Sequence, residues 1–351
     1  MKKFAVFGGF LGAGKTTAMM ALTRFYSDAF APAAMISNDL GEGVDLADDR
    51  LARLSGCRAA QITGECICFR RDLLREKLDA FFSEGCELVV SDIPGFGVGA
   101  LEHVYHGLMS ECPEEYELAP FTVLTEPRNV EILREGGDME SILDAQLREA
   151  DLIVLNKCDA VGAPRAEEDR AFLAARYPWA ETIVLSALDG TGIDALARAL
   201  REGKASLRRP DIDYDDEELQ SEMDSLSEYY LQYHAAVCCF SFDGGAYLAD
   251  IAGRVREDFR ARGRAIPHLK LLAWGPGGDF GKFDLLGTDR PIERTRPFER
   301  PCTELAVILN ASASCPADEL DAIVSSAAEE ISEKYRLEMT VYKKDCFGLG
   351  D

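Results

Sequence analysis

The chain has 351 residues, which is more than one compact hydrophobic core usually holds, so two domains are expected. Its formal charge of −24 argues against a broad binding surface for nucleic acid or anionic lipid. The apolar N-terminal stretch is too short for a signal peptide, and no long uncharged span follows it. These features predict a cytoplasmic protein with neither a nucleic-acid nor a membrane partner.

The first predicted element is a strand, Phe4 to Phe7, followed by a glycine-rich loop that opens a helix. Backbone N–H groups of such a loop surround phosphate oxygens, and glycines permit their close approach. Lys15 is predicted to reach the β and γ phosphates, and Thr16 to bind Mg²⁺. This P-loop predicts a bound nucleoside triphosphate. Its phosphate-binding residues are predicted to be Gly9, Gly12, Ala13, Gly14, Lys15, Thr16 and Thr17.

A later apolar strand, Glu87 to Ser91, ends in the string Asp92-Ile93-Pro94-Gly95. Asp92 is expected to be an outer-sphere partner of Mg²⁺, and the Gly95 N–H to contact the γ-phosphate, so that hydrolysis releases this segment as a switch. Phe96 occupies the position where many GTPases carry a water-orienting glutamine. Slow intrinsic hydrolysis, accelerated by a partner, a metal or dimerisation, is therefore predicted. The predicted catalytic residues are Lys15, Thr16, Asp92 and Gly95.

The choice of base is predicted by the string Asn156-Lys157-Cys158-Asp159, which follows the apolar run Leu152 to Leu155. Open α/β sheets bind their ligands at the carboxyl ends of such strands. The Asp159 carboxylate can accept hydrogen bonds from guanine N1–H and its exocyclic amine, which adenine does not offer. Asn156 and Lys157 are expected to brace the base and the P-loop, and Ser186 with Ala187 to close over the base. GTP and GDP are the predicted ligands.

Eleven cysteines without the spacing of a disulfide framework indicate reduced thiols. Most are expected to be small core residues, and burial is expected for the five that lie in or beside apolar runs, Cys86, Cys158, Cys238, Cys239 and Cys302. Cys66 and Cys68 differ, because thiols at i and i+2 of an extended segment point the same way and can chelate one soft metal ion.

The chain turns polar and acidic from Leu207 to Gln232, which is typical of a solvated linker or an exposed helix; a site for a partner's basic face is the alternative. Beyond it a β-α-β-β-α-β order is predicted. The strands are predicted at Ala235 to Phe242, Ile266 to Trp274, Glu304 to Leu309 and Leu337 to Tyr342, with helices at Tyr247 to Arg262 and Ala317 to Tyr335.

Several strings resemble the CobW branch of the CobW/HypB/UreG family of P-loop GTPases, motif by motif over most of the first two hundred residues. They are Gly9 to Thr17, Ile36 to Asp45, Gln61 to Leu73, and Ala150-Asp151 ahead of Asn156 to Asp159. In that family, nucleotide binding and hydrolysis control the loading or release of zinc, cobalt or nickel. The resemblance therefore implies a metal-handling GTPase. It also implies a CobW-type C-terminal domain for the β-α-β-β-α-β region.

The family's metal motif is Gly-Cys-x-Cys-Cys, and here Glu65 and Phe69 occupy its first and last positions. The third thiol is missing. A Zn²⁺ site with four ligands must then recruit others, and the nearest candidates in sequence are Glu42, Cys57 and Glu65, among which the sequence does not choose.

The predicted fold is α/β, with the parallel sheet of a P-loop NTPase carrying helices on both faces, followed by a smaller ferredoxin-like α+β domain. The expected boundaries are 1–202 for the GTPase domain, 203–233 for an acidic linker, 234–346 for the C-terminal domain and 347–351 for a tail.

Three functions are compatible with this pattern. The first is a GTPase metallochaperone that loads a metalloenzyme client. A variant has a corrinoid or methyltransferase protein as its client, and the missing third thiol favours it slightly. The third is a regulatory switch, in which GTP moves the ferredoxin-like domain between partners and Cys66 and Cys68 only pack. A homodimer is compatible with each of them.

Overall fold

The computed structural model describes residues 2–111, 115–264 and 268–350. The chain divides into two compact units. The first consists of Met1–Leu40 with Ala52–Glu222, and the second of Gly41–Leu51 with Met223–Asp351. Across the described ranges, no helix combines the length and the apolar character that crossing a bilayer requires.

The first unit is built on one parallel sheet. Its strands are β1 (Lys3–Gly8), β2 (Ala33–Asp39), β3 (Arg58–Thr63), β4 (Leu88–Asp92), β5 (Glu117–Leu118), β6 (Thr122–Thr125), β7 (Leu152–Leu155) and β8 (Glu181–Val184). The order across the sheet is β3-β2-β4-β1-β6-β7-β8, with β5 paired to β1. Every residue of β1, β4, β6 and β7 is buried, as expected for the centre of a parallel sheet.

Helices connect these strands, because parallel neighbours cannot be joined by a tight turn, and one further helix follows β8. They are α1 (Lys15–Ala29), α2 (Ala47–Leu54), α3 (Arg71–Ser83), α4 (Gly107–Glu111), α5 (Pro127–Glu135), α6 (Glu140–Glu149), α7 (Ala163–Arg176) and α8 (Ile193–Glu202). The P-loop follows β1, Asp92 ends β4, and Asn156 follows β7. Parallel strands share one carboxyl edge, so all three positions lie at the same edge of the sheet.

The second unit is built on an antiparallel sheet of six strands. They are β9 (Leu226–Ala236), β10 (His268–Trp274), β11 (Phe280–Leu285), β12 (Glu293–Arg296), β13 (Glu304–Ser314) and β14 (Glu338–Gly348). The order is β12-β11-β10-β13-β9-β14. Two helices, α10 (Gly244–Ala261) and α11 (Ala317–Lys334), share one apolar core with the sheet.

Without β11 and β12, the remaining elements follow the β-α-β-β-α-β order, and their strands have the order β10-β13-β9-β14. The predicted fold class, a P-loop sheet followed by a ferredoxin-like domain, is therefore confirmed. The hairpin β11–β12 was not expected and extends one edge of the sheet. Ile266, placed in a strand by the sequence, lies outside the described residues.

The acidic region differs from the solvated linker that its composition indicates. The backbone N–H of Ala205 donates to the carbonyl of Leu118 at 2.9 Å, and the Tyr214 hydroxyl donates to Glu149 at 2.7 Å. A further helix, α9 (Glu217–Asp224), follows. The strand expected at 235–242 instead runs over Leu226–Ala236, so the second sheet begins inside the proposed linker.

The expected tail is also structured over most of its length. Strand β14 continues to Gly348 and pairs with β9, and the Leu349 N–H donates to the carbonyl of Leu226 at 2.9 Å. The Cys346 thiol lies 3.2 Å from the carbonyl oxygen of Ala317. Only Asp351 of this tail lies outside the described residues.

The segment Gly41–Leu51 belongs to the second unit although both of its neighbours in the chain belong to the first. Lys270 of β10 donates to the Asp48 carboxylate at 2.5 Å, and the Arg50 guanidinium lies 4.4 Å from the centre of the Trp274 ring. A Cβ at Gly41 would lie 3.0 Å from the ring of Tyr230. This segment is therefore held by charge and by close packing.

Candidate functional site

The P-loop has the backbone conformation that its glycines predict. Gly9 and Gly14 have φ values of 123° and 89°, in the left-handed region that favours glycine. A Cβ at Gly9 would lie 2.2 Å from the carbonyl oxygen of Leu124 in β6. The Lys15 ammonium donates to the Gly9 carbonyl at 2.6 Å, across the loop. The Lys15 charge is thus held over the cradle that phosphates are predicted to enter.

Asn156 connects the P-loop to the predicted base-binding turn. Its side-chain amide donates to the carbonyl of Ala13 at 2.9 Å and accepts the N–H of Ala187 at 3.0 Å. A Cβ at Gly14 would lie only 2.4 Å from the Asn156 amide nitrogen. Asn156 therefore joins the P-loop backbone to the turn at Ala187, which is expected to cover the base.

The residues after Asn156 leave one carboxylate open to solvent. Lys157 has a φ of 61° and its ammonium pairs with Glu126 at 2.9 Å. Asp159 follows in a short 3₁₀ turn and is exposed, while Ser186 is buried and accepts the N–H of Asp189 at 3.2 Å. Glu126 was not identified from the sequence, because only the fold brings the end of β6 beside Lys157.

Asp92 is placed at the level of the P-loop by strand register. It lies opposite Phe7, the residue before the last of β1, in the β1–β4 pair. Asp92 is 5 % exposed, and Thr16 is 8 % exposed. A hydroxyl and a carboxylate at this edge of the sheet are the oxygen donors that Mg²⁺ prefers, so the residues present fit the predicted ion.

The loop that follows Asp92 is held by helix α6. The Gln146 amide donates to the carbonyls of Gly95 and Gly97, each at 3.1 Å. A Cβ at Gly95 would lie 2.6 Å from the Leu11 side chain, so Gly95 closely approaches the P-loop. Gln146 was not identified from the sequence, since it lies 51 positions from Gly95.

Glu149, also on α6, is a buried carboxylate in contact with the same loop. It accepts the backbone N–H of Gly99 at 2.8 Å and the Tyr214 hydroxyl at 2.7 Å. Burial raises its pKa to about 7, although both of these hydrogen bonds lower it. Glu149 is therefore protonated more readily than an ordinary glutamate.

Cys66 and Cys68 lie in a turn after β3, and not in the extended segment that their spacing predicts. The turn is closed by the Phe69 N–H, which donates to the carbonyl of Cys66 at 2.9 Å. The two Sγ atoms lie 2.8 Å apart. Cys68 is buried, whereas Phe69, at the position of the family's third thiol, is 73 % exposed.

The hydrogen bond within the pair separates the pKa values of the two thiols. It lowers the pKa of Cys66, and together with burial it raises the pKa of Cys68. The Glu149 carboxylate adds to this separation by raising the pKa of Cys68, whereas the Asp92 carboxylate opposes it by raising the pKa of Cys66. A negative potential of this kind also favours a cation at the thiols.

A third ligand is not gathered at the pair. In the ranges 2–111, 115–264 and 268–350, no three His, Cys, Asp or Glu side chains are grouped to hold one metal ion. Glu42 belongs to the second unit, the Cys57 thiol lies 3.9 Å from the Thr23 hydroxyl, and Glu65 pairs with Arg70 at 3.8 Å. None of these candidates joins Cys66 and Cys68 in a cluster.

Two of the cysteines expected in the core are exposed instead. Cys238 and Cys239 are solvent-exposed, whereas Cys86 is buried, and Cys158 and Cys302 are half-buried. Strand β9 ends at Ala236, inside the apolar run that suggested burial, so the pair lies beyond the strand.

Residues 3–179, half of the chain, match the family model described as the CobW/HypB/UreG nucleotide-binding domain. No curated protein matches the chain significantly.

Among solved structures, the chain is similar to the hydrogenase maturation factor HypB from Archaeoglobus fulgidus at 22 % identity, covering 57 % of this chain and 89 % of that one, with a TM-score of 0.38. HypB from Helicobacter pylori in complex with nickel is 18 % identical, over 58 % and 89 %, with a TM-score of 0.41. Zn(II)-bound YjiA GTPase from E. coli is 16 % identical, over 93 % and 98 %, with a TM-score of 0.38.

The span matched by the family model begins at β1 and ends just before β8. It contains the P-loop, Asp92, the cysteine turn and the string from Asn156 to Asp159. Because this match covers half of the chain and all of those motifs, the protein belongs to the CobW/HypB/UreG family of GTPases.

Proposed function

We propose that this protein is a GTP-binding and GTP-hydrolysing metallochaperone that couples its nucleotide state to the delivery of zinc, cobalt or nickel to a metalloenzyme client. One observation carries the proposal. Asp92, at the level of the P-loop, is joined through the buried Asn38 to the Cys66–Cys68 turn by direct hydrogen bonds. A nucleotide-dependent shift of Asp92 thus has a short path to the thiols.

The nucleotide part of the proposal assigns Lys15 to the β and γ phosphates and Asp159 to the guanine base. Thr16 and Asp92 would hold Mg²⁺, which neutralises charge on the phosphates. Gln146 holds the loop around Gly95 by its carbonyls and so leaves the Gly95 N–H available for the γ-phosphate. Phe96 cannot orient water, which supports slow intrinsic hydrolysis.

The metal is the cargo in this proposal. A site with fewer than four protein ligands is suited to a metal that must be released to a client. Protein sites that retain zinc permanently supply four ligands. Two thiolates hold a soft ion and leave coordination positions for the ligands of a client. The negative potential from the Asp92 carboxylate strengthens the attraction without adding a ligand.

Metal titration tests this function. The reduced protein is titrated anaerobically with Zn²⁺ in its nucleotide-free form, with GDP, and with a nonhydrolysable GTP analogue. We expect one Zn²⁺ per chain and an affinity that differs between the two nucleotide states by at least about fivefold, the lower end of typical coupling energies. The Cys66→Ser/Cys68→Ser variant is expected to lose this site.

The chain offers a matched control for the thiols. Cys238 and Cys239 are also close in sequence and are exposed, so Cys238→Ser/Cys239→Ser removes two thiols without touching the turn. This control should bind Zn²⁺ like the wild type. Stoichiometric binding that survives loss of Cys66 and Cys68, or an affinity that is equal in all nucleotide states, would rule out the proposed coupling.

The regulatory switch without a transition metal is the second candidate. The absence of a third His, Cys, Asp or Glu ligand at Cys66 and Cys68, within the described part of the chain, favours it. It predicts no specific Zn²⁺, Co²⁺ or Ni²⁺ binding in any nucleotide state, with normal GTP binding and hydrolysis. The same titration therefore distinguishes the two functions.

A further inference from the structure

Asn38, the residue before the last of β2, lies between Asp92 and the cysteine turn and is 4 % exposed. Its backbone N–H donates to the Asp92 carboxylate at 2.8 Å. Its side-chain amide donates to the carbonyls of Ile62 at 3.1 Å and Glu65 at 2.9 Å, and accepts the N–H of Ile67 at 2.9 Å. Asn38 therefore contacts Asp92, the predicted Mg²⁺ partner, and also the backbone on both sides of Cys66.

The position of these bonds determines what the side chain controls. Ile67 is the residue between Cys66 and Cys68, so fixing its N–H fixes the peptide plane that separates the two thiols. The bond to Glu65 fixes the residue before the first thiol. The Asn38 amide thus holds the first half of the turn, from Glu65 to Ile67, and the hydrogen bond from the Phe69 N–H to the Cys66 carbonyl closes the turn after it.

The chemistry requires an amide at this position. Two carbonyls need a donor, and the Ile67 N–H needs an acceptor, at one buried site. Among side chains of this length only asparagine offers both, since aspartate is acceptor-only when ionised. A buried hydrogen-bond network in which every donor and acceptor is paired holds one geometry. Such a series of hydrogen bonds can transmit a displacement from one end to the other.

We propose that Asn38 is the positioning residue that transmits the position of the Asp92 carboxylate to the Cys66–Cys68 turn, so that the exposure of the thiols follows the nucleotide. A shift of the Asp92 carboxylate toward the Mg²⁺ of a bound nucleotide would displace the Asn38 backbone through the N–H that donates to it. The Asn38 side-chain amide would then displace the backbone of the turn at Glu65 and Ile67. This inference rests on the proposed function, which gives the change in thiol exposure its role in metal delivery. The mechanical link between Asp92 and the thiols needs no metal bound to the thiols.

Thiol alkylation tests the link in metal-free protein. The wild type is mixed with iodoacetamide in the presence of Mg²⁺ and either GDP or a nonhydrolysable GTP analogue, and the rate of modification of each cysteine is followed by mass spectrometry. We expect the rate at Cys66 to differ several-fold between the two states. The exposed Cys238 and Cys239 serve as internal controls and should react at the same rate in both.

Asn38→Ala removes the side-chain bonds and keeps the backbone bond to Asp92. It should retain GDP binding and bring the two Cys66 rates to within about twofold. Asn38→Ser, which loses less volume and keeps a polar atom, replaces it if the alanine variant does not fold. Asn129→Ala is the matched control, since Asn129 is equally buried in α5 of the same unit.

The outcomes separate this inference from the proposed function. A variant at Asn38 that keeps the wild-type difference in Cys66 rates, or a wild type without such a difference, overturns the inference. A wild type that shows the difference but binds no Zn²⁺ in the titration described above leaves the link standing and removes the metallochaperone function.

Discussion

Two buried asparagines organise the candidate site at the scale of single residues. Asn38 and Asn156 are 4 % and 2 % exposed, and each uses its amide as donor and acceptor to join segments that are distant in the chain. Asn156 joins the P-loop to the turn at Ala187, and Asn38 joins β2 to the cysteine turn. A carboxylate or an apolar side chain in either position leaves a buried backbone group without its partner, which costs about 1–3 kcal/mol.

Asp159 carries the prediction about base specificity. In Asp159→Ala the preference for GTP over ATP should fall by about a hundredfold, because two hydrogen bonds to a charged acceptor together contribute roughly 3 kcal/mol. Asp159 is exposed, so the fold should be unaffected. Competition binding with a fluorescent GDP analogue measures the preference. Asp138→Ala, at another exposed aspartate of the first unit, is the control, and an unchanged preference in Asp159→Ala would refute the assignment.

Helix α6 and the segment after α8 together hold the loop that follows Asp92, at the scale of elements. Gln146 binds the carbonyls of Gly95 and Gly97, and Glu149 binds the N–H of Gly99 and the hydroxyl of Tyr214. The acidic region after α8, whose composition is that of a solvated linker, thus contributes the Tyr214 hydroxyl to the contacts that hold this loop. The proposed movement of this loop on hydrolysis would have to break these contacts or move their partners as well.

The raised pKa of Glu149 predicts how stability depends on pH. Its folded-state pKa of about 7 lies above its ordinary value of 4.5, so the folded state binds more protons between these two pH values. The free energy of unfolding should therefore fall as pH rises through this window, by roughly 3 kcal/mol in total. Glu149→Gln keeps an acceptor for Gly99 and Tyr214 and should remove this decrease.

Calorimetric unfolding of the first unit between pH 5 and pH 8 measures the effect. At pH 8 the Glu149→Gln variant should be more stable than the wild type, and near pH 5 the two should be similar. Glu181→Gln, at an exposed carboxylate of the same sheet, controls for the loss of one negative charge. Parallel profiles for the wild type and Glu149→Gln would show that Glu149 is ionised throughout.

At the scale of the whole molecule, the chain leaves the first unit after Leu40, contributes Gly41–Leu51 to the second, and returns at Ala52. The division falls within α2, so the segment is continuous with a helix. In the resemblance, Asn38 to Glu42 match the family's switch I pattern, Asn-Glu-Phe-Gly-Glu, so the end of this pattern overlaps the start of the segment. Under the proposed function, nucleotide-dependent motion of that pattern would act on residues that belong to the second unit.

The ion pair between Lys270 and Asp48 predicts how firmly the segment is held. Lys270→Met keeps the aliphatic stem but removes the charge beside a carboxylate that is 11 % exposed. A loss of about 1–3 kcal/mol follows, so amide hydrogen exchange in 41–51 should become at least about fivefold faster. Lys344→Met breaks the more exposed pair with Asp321 in the same unit and should leave 41–51 unchanged. Equal exchange in all three proteins would mean that other contacts hold the segment.

Strand β9 illustrates how composition can hide a pattern. Its core side chains Tyr229, Leu231, Tyr233 and Ala235 alternate with residues of the other face, which is the period of a strand. The acidic residues just before it made the whole region resemble a linker. Pairing with β13 and β14 over eleven and ten residues outweighs that local composition, because burial of alternate side chains stabilises the strand.

The sequence by itself determined the P-loop, the strand that ends at Asp92, the turn from Asn156 to Asp159 and the fold class. In each of these, the strand, the turn and the chemical group are adjacent in the chain, so local residue types specify the structure. Only the tertiary structure decided the contacts of Asn38, Glu149 and Lys270, which join residues 54, 65 and 222 positions apart. It also decided that no third His, Cys, Asp or Glu ligand joins Cys66 and Cys68 among the described residues. Such contacts depend on the order of the strands in the sheet and on which unit each segment of the chain belongs to. A local sequence pattern specifies neither of these.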